Sequence, residues 1–351
     1  MTKTMDAEPV AAPAALSFRE ILFEKREGVA TVTLNRPHAY NAYSTGTLRE
    51  LIAALQDATF DDAVAVIVIT GAGTKSFCTG GDVKEYAETY TKAPHEYWKY
   101  MQLFRTYLEA ILRSGKPTIA RLNGMAVGGG HETQLACDLS VIAEHAYVGQ
   151  VGTSVGSVAC GGATQWLPIT VGTKRAAEML LMNPRIPARQ ALEWGLVNAV
   201  APSVTCRGDF VERPTAEQIR WAERGESGYA IDLSRLDQIV ASYAANLKEK
   251  FPECTRYTKQ QMNVWKEWAW FSTIGHGADW LSLHFASREP WEGMQAFVEK
   301  RPPDVAGIRG ALARGESPEF LWGAYRKTCP ACKAVGLPAD FGFCGKCGGP
   351  L

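Results

Sequence analysis

The stretch NGMAVGGGHETQLACD (residues 123–138) carries three consecutive glycines into a segment with helical character, and its first turn holds His131 and Glu132. Glycine inside a helix costs about 1 kcal/mol against alanine, so this opening needs a reason. A helix start exposes unpaired N–H groups and a partial positive charge. Glycine lets another molecule approach that backbone closely. A second loop, GAGTKSFCTGGDVKEY (71–86), has the same form. Taken singly, each loop reads as well as a phosphate cradle or tight structural turn as it does as a donor to a substrate oxygen. Taken together, separated by a strand–helix–strand segment, they suggest two N–H donors aimed at one oxygen. Removing one donor from such an oxyanion hole typically costs about 3–4 kcal/mol in the transition state.

Outward from these loops the chain alternates strands and helices. ILFEKREGVATVTLNRP (21–37) reads as two short strands joined near Gly28, STGTLRELIAALQDATFDD (44–62) as a helix, and AVAVIVITGAG (63–73) as a buried strand. Between Pro94 and Arg113, Tyr97, Tyr100, Met101, Phe104, Tyr107, Leu108, Ile111 and Leu112 recur at three- and four-residue steps, an amphipathic helix. KPTIARLNG (116–124) and DLSVIAEHAYVG (138–149) read as further strands, and GTSVGSVACGGATQW (152–166) as a second glycine-dense turn. Continuous apolar strands between helices indicate a sheet covered by helices. From Pro202 to Asp232 the sequence turns polar and aperiodic, which reads as an insertion or long loop, and helical periodicity resumes near Ile231.

With 351 residues, 46% of them hydrophobic, the chain can fill one large core plus an appendage. Its 37 basic and 37 acidic residues cancel, which argues against general attraction to nucleic acid or anionic membrane. No apolar run approaches the length of a spanning helix. The Ala/Pro-rich opening, with acids and no apolar stretch of signal-peptide form, reads as a disordered tail on a cytoplasmic protein. The expected organisation is a tail (1–17), a core (18–205), an insertion with a C-terminal helical region (206–311), a linker (312–328) and a cysteine module (329–351).

In combination, NRP with Asn41-Ala42, FCTGGDVKEY (77–86), NGMAVGGGHE (123–132), CDLSVIAEHAYVGQ (137–150), EMLLMNPRIPARQALEWGLVNAV (178–200) and EGMQAFVEKRPPD (292–304) resemble the crotonase (enoyl-CoA hydratase/isomerase) superfamily. The resemblance implies an α/β fold, a spiral of ββα units with C-terminal helices that cover the site and build trimers, often paired as hexamers. It implies chemistry on an acyl-CoA thioester whose carbonyl oxygen lies between the N–H groups of Gly81 and Gly129. The matching segments that line the coenzyme A path place Ala42, Gly81, Asp82, Val83, Lys84 and Gly129 beside the substrate. Glu132 matches the first glutamate of the hydratases. Their second glutamate matches Gly152, so the two-carboxylate grip on water is incomplete and the glycine leaves space for a bulky substrate or an anion. GQVGTSVGS (149–157) is similar to the naphthoate synthase branch, although the aspartate of that branch matches Ala159. YNAY (40–43), the GGATQWLP spacing (161–168), the polar insert and IDLSRLDQIVASYAANLKEKFPEC (231–254) are most similar to the 6-oxocyclohex-1-ene-1-carbonyl-CoA hydrolase group, which adds water to a cyclic enoyl thioester and then cleaves the ring.

The candidate acid–base groups follow. Glu132 activates water, against the alternative of a helix-start acid held by the dipole. His131 is a proton shuttle or a packed histidine. Tyr40 donates to a ring ketone or forms pocket wall, in a segment shared with His38 and Tyr43. Asp82 reads as a cap or loop anchor, His145 as structural, and Cys160 as lacking a base partner. Trp265, Trp268, Trp270 and Phe271 read as helix-packing core or as a cap over an apolar substrate.

CPAC (329–332) and CGKC (344–347) are separated by eleven residues. Two such knuckles offer four thiolates, Cys329, Cys332, Cys344 and Cys347, with the spacing of a structural tetrahedral Zn²⁺ site; rubredoxin-like iron and a redox dithiol are the alternatives. Such a ribbon suits contact with a protein partner. The leading reading is an acyl-CoA hydratase/hydrolase that opens an alicyclic ring. Its rivals are an ordinary enoyl-CoA hydratase/isomerase and a non-catalytic acyl-CoA scaffold that recruits a partner through the ribbon.

Overall fold

The computed structural model describes residues 17–319, 326–334, 337–338 and 341–351. All but Ser17 of the expected tail, and residues 320–325 of the expected linker, lie outside the described residues.

Strands β1 (Ile21–Arg26) and β2 (Val29–Leu34) form an antiparallel hairpin that turns at Glu27 and Gly28. Helix α1 (Thr45–Phe60) starts at Ser44, whose hydroxyl accepts from the Thr47 N–H while Thr47 Oγ1 accepts from the Ser44 N–H. This capping box satisfies N–H groups left free at the helix start. Three repeats follow. The first is β3 (Val66–Gly71), β4 (Ser76–Cys78), a short α2 (Val83–Glu85) and α3 (Pro94–Leu112). The second is β5 (Thr118–Leu122), β6 (Met125–Val127) and α4 (Gly129–Ala136). The third is β7 (Leu139–Ala143), β8 (Tyr147–Gly149) and α5 (Ala163–Met182), which bends at Gly172. Strand β9 (Ile186–Pro187), α6 (Ala188–Glu193) and β10 (Ala199–Ala201) close the core.

Each repeat gives its first strand to a six-stranded sheet, ordered β1-β2-β3-β5-β7-β10, and its second to a four-stranded sheet, ordered β4-β6-β8-β9. Within each sheet the strands of successive repeats run parallel, so the chain advances one strand per turn of a spiral. The ends of β4, β6 and β8 therefore stack, and the three glycine loops that follow them become neighbours. Strand β3 is buried at all six positions, as its unbroken apolar run requires.

The polar segment after Pro202 is folded, contrary to the loop expected of it. Strands β11 (Val204–Cys206), β12 (Asp209–Phe210) and β13 (Tyr229–Ile231) form a small sheet, and α7 (Ala216–Arg224) lies between them in sequence. Strands of two or three residues are too short to show alternation. Helices α8 (Ser234–Lys248), α9 (Pro252–Met262), α10 (Val264–His284), α11 (Arg288–Val298) and α12 (Val305–Ala313) follow. Lys259 ties α9 to the core through a buried ion pair with Asp138 at 2.9 Å and hydrogen bonds to Ile111 O, Ser114 Oγ and Lys116 O. On α10, Trp270 is buried and stacks on Trp166 with ring centroids 5.2 Å apart. Trp265, Trp268 and Phe271 are exposed instead, so only one of the four aromatic residues expected in the core is there.

Candidate active site

A cavity of about 90 Å³ opens where the loops after β4, β6 and β8 meet, and both Gly81 and Gly129 line it. The two loops touch: a Cβ built on Gly80 would lie 2.7 Å from the Gly129 nitrogen. Gly129 is the first residue of α4, where the N–H has no helical acceptor. At the other loop, a bridge from Tyr43 N to Gly80 O (2.9 Å) and from Asp82 N to Tyr43 O (3.0 Å) engages Gly81's neighbours. Among the described residues neither the Gly81 nor the Gly129 N–H has a protein acceptor.

Side chains explain why both positions are glycine. A Cβ on Gly129 would lie 1.7 Å from Tyr43 Oη, and one on Gly81 would lie 1.8 Å from Tyr86 Oη. Each of these two glycines thus has a phenol hydroxyl packed against its Cα.

Glu132 lies one turn into α4 and its side chain lines the same cavity. Its Oε1 accepts from the Ala163 N–H at 3.2 Å, at the start of α5. Burial raises the carboxyl to about 7, with the Ala163 and Gly161 N–H groups pulling the other way. Desolvation penalises the charged form more than these donors repay. The carboxyl therefore exchanges protons near neutral pH, as a general acid–base group must.

Other sequence-derived candidates lie elsewhere. Tyr40 is 51% exposed and is absent from the cavity wall, because Tyr40 and Asn41 both take positive φ and turn its side chain outward. Tyr43, 1% exposed, occupies the wall in its place. His131 is fully buried, sits behind the wall, and is pushed down to about 3 by desolvation. It is neutral at physiological pH, with Nδ1 3.2 Å from Gln150 Nε2, and the packed-histidine reading replaces the shuttle. Asp82 caps α2 through the Lys84 N–H and pairs with Arg36 at 2.9 Å; it anchors the loop and does not reach the cavity. Val83 lines the cavity, whereas Ala42, which is buried, and Lys84, which is exposed, do not. His145 is held by Ser203 Oγ and Thr74 O, a structural role. Cys160 lines the cavity, but burial pushes its thiol up to about 12, which removes the thiolate a nucleophile needs.

Gly152 lines the cavity, but a side chain there would be crowded. A Cβ there would lie 3.0 Å from Ser157 O and 3.2 Å from Ala159 N, because the Gly152 carbonyl accepts from the Val155 and Ser157 N–H groups and folds the loop inward. The cavity takes its shape from residues read in sequence only as helix core: Tyr100, Met101 and Phe104 on α3, with Tyr86 beside them. Three phenols on one apolar helix face, at 97, 100 and 107, were the available signal.

The cysteine module brings the four thiols together. Their sulfurs all lie within 4.8 Å of one another, with Cys329–Cys347 and Cys332–Cys344 at 3.6 Å. Backbone N–H groups of Cys332 and Lys346 point to Cys329 Sγ and Cys344 Sγ at 3.4 Å, which forms the two knuckles. Strands β14 (Arg326–Lys327) and β15 (Leu337–Pro338) pair beside them. This cluster can hold a metal ion.

A spiral of parallel strands, with two free N–H groups and a buried carboxyl on one cavity, is a crotonase-type fold, and the chain belongs to the enoyl-CoA hydratase/isomerase family, whose model matches residues 24–307. Two curated relatives are 6-oxocyclohex-1-ene-1-carbonyl-CoA hydrolases. The one from Geobacter metallireducens is 37% identical over 316 residues, covering 82% of this chain and 83% of the relative. The one from Thauera aromatica is 34% identical over 321 residues, covering 83% and 84%. Among solved structures, an enoyl-CoA hydratase from Mycobacterium avium subsp. paratuberculosis superposes with a TM-score of 0.66 at 25% identity, over 82% of this chain and 99% of that one. No helix among the described residues is long and apolar enough to cross a membrane.

Proposed function

We propose that the protein is an acyl-CoA hydrolase that adds water to an alicyclic oxo-enoyl thioester and then cleaves the ring beside its ketone. The observation that carries this reading is a single protonation-poised carboxyl, Glu132, in one cavity with two unpaired N–H donors. The similarity to two ring-cleaving hydrolases supports the substrate class.

In the first step Glu132 takes a proton from water as the oxygen adds to the β-carbon. The electron pair moves to the thioester oxygen, held by the Gly81 and Gly129 N–H groups, and the α-carbon is then protonated. In the second step water adds to the ring ketone. The bond from the ketone carbon to the α-carbon breaks, and its electrons return to the same thioester oxygen. Each step thus passes through a thioester enolate, cyclic in the first and open-chain in the second, stabilised by the same pair of donors. A carboxyl near 7 can act as base and then acid within each step, so one glutamate suffices.

The four cysteines hold a structural zinc ion in this reading. Thiolates at Zn–S of about 2.3 Å stand roughly 3.8 Å apart in a tetrahedron, close to the 3.6 Å pairs here. The ribbon serves as a contact for a protein partner. Assembly into trimers or hexamers is supported by exposed Met262, Val264, Trp265 and Trp268. A cytoplasmic setting is supported by five further cysteines, Cys78, Cys137, Cys160, Cys206 and Cys254, that form no disulfide. The test is incubation with a panel of linear and cyclic acyl-CoA thioesters, read by mass spectrometry. Uptake of one water by linear and cyclic substrates alike supports the ordinary hydratase, and no turnover supports the scaffold.

A further inference from the structure

Tyr100 and Tyr86 both line the cavity beside Glu132, and their hydroxyls are 2.5 Å apart, with Tyr86 donating to Tyr100. Tyr100 has therefore accepted its hydrogen bond and keeps its own proton. Among the described residues no acceptor takes that proton. Tyr100 is 2% exposed, so its free O–H lies in an aromatic wall where water has little access. A buried tyrosine hydroxyl ordinarily finds a partner.

Its position is specific. A Cβ built on Gly81 would lie 2.9 Å from Tyr100 Oη, so this hydroxyl stands next to a glycine that holds the thioester oxygen. In an alicyclic oxo-thioester the ring ketone and the thioester carbonyl are separated by one carbon. The donors for the two oxygens must therefore be neighbours, and Gly81 and Tyr100 are. Tyr100 sits on the long helix α3 and packs against three other tyrosines, with ring centroids at 5.6 Å (Tyr97), 5.1 Å (Tyr86) and 5.2 Å (Tyr90). That packing fixes its rotamer. Burial also raises the phenol well above its ordinary value, which keeps it a neutral donor.

We propose that the Tyr100 hydroxyl binds the ring ketone oxygen of the substrate and stabilises the alkoxide formed when the second water adds, with Tyr86 as the residue that positions it; this rests on the ring-cleaving reading above. Water oxygen bonds to the ketone carbon, its proton goes to Glu132, and the carbonyl electron pair moves to the oxygen held by Tyr100. The alkoxide then re-forms its double bond and the carbon–carbon bond breaks. The electrons reach the thioester oxygen at Gly81 and Gly129, and Glu132 returns its proton to the α-carbon. The new carboxylic acid loses a proton to solvent.

The test uses the Glu132→Gln protein, in which turnover is suppressed, and calorimetry with two ligands. These are 2-oxocyclohexane-1-carbonyl-CoA and its ketone-free counterpart, cyclohexane-1-carbonyl-CoA. The keto ligand is expected to bind about tenfold tighter, as one buried hydrogen bond provides. Adding Tyr100→Phe should collapse that ratio to within about twofold. Adding Tyr107→Phe, which removes a phenol outside the cavity wall on the same helix, should preserve it. In the otherwise native protein, Tyr100→Phe should slow ring opening by about 10²–10³-fold, the effect of losing one oxyanion donor. A ratio that survives Tyr100→Phe, or no preference for the ketone in the parent, overturns the assignment. Absence of ring opening by the native protein fails the ring-cleaving reading separately, because the binding ratio is read without turnover.

Discussion

Replacing Glu132 with glutamine should make the protein less active and, as pH rises, relatively more stable. The carboxyl has an ordinary value of 4.5 and is raised by burial to about 7 in the fold. A raised carboxyl means the folded state holds its proton over a range where the unfolded chain releases it. Its contribution to stability is fully present below 4.5 and is lost as pH climbs through 7. Integrated over that range, ionisation of this one group costs the fold about 1 kcal/mol at pH 5 and about 3 kcal/mol at pH 8. Glutamine has no charge to desolvate. Its own packing and hydrogen-bond costs are the same at both pH values and cancel in the comparison. Urea unfolding of both proteins at pH 5 and pH 8 should therefore show the variant gaining about 2 kcal/mol on the native protein between the two conditions. Turnover should fall by about 10²–10⁴-fold, the usual contribution of a general base. A stability difference independent of pH would refute the argument, since it would show that the carboxyl is not desolvated.

Other expectations are independent of this group. Gly152→Glu should not restore a two-carboxylate site: its Cβ would crowd Ser157 O at 3.0 Å, so the change should cost about 1–3 kcal/mol in thermal unfolding and leave turnover no higher. Lys259→Met should destabilise by about 3–5 kcal/mol in urea unfolding, because it strands Asp138 as a buried unpaired charge. Cys344→Ser should lower bound zinc, measured by elemental analysis, from one ion per chain to a small fraction, because three thiolates cannot close the shell. Turnover on the pH axis should fall about tenfold per pH unit below about 7, where Glu132 holds its proton and cannot act as base.

Elements with a clear repeat were legible in sequence. The hairpin at Gly28, the helix beginning at Pro94 and the glycine-led helix at Gly129 all carry strong local signals, a turn residue or a 3.6-residue period. The small sheet after Pro202 does not, because its strands are two and three residues long. That Gly81, Gly129 and Glu132 would share one cavity was legible because glycine-led helix starts have distinctive chemistry. Which tyrosine lines the cavity was not legible, since that depends on backbone direction. Two successive positive φ values at Tyr40 and Asn41 send Tyr40 to solvent and leave Tyr43 inside. Tyr100 and Phe104 were hidden for a different reason. A stripe of aromatic residues on a helix reads as core, and only the fold shows that part of this core is hollow.

The most direct test of the account is reaction of the native protein with 6-oxocyclohex-1-ene-1-carbonyl-CoA in ¹⁸O-labelled water, followed by mass spectrometry of the product. The expected product is an open-chain CoA thioester that has taken up two waters, with one solvent oxygen in a hydroxyl and one in a new terminal carboxylate. A product that has taken up one water and kept its ring closed would contradict it.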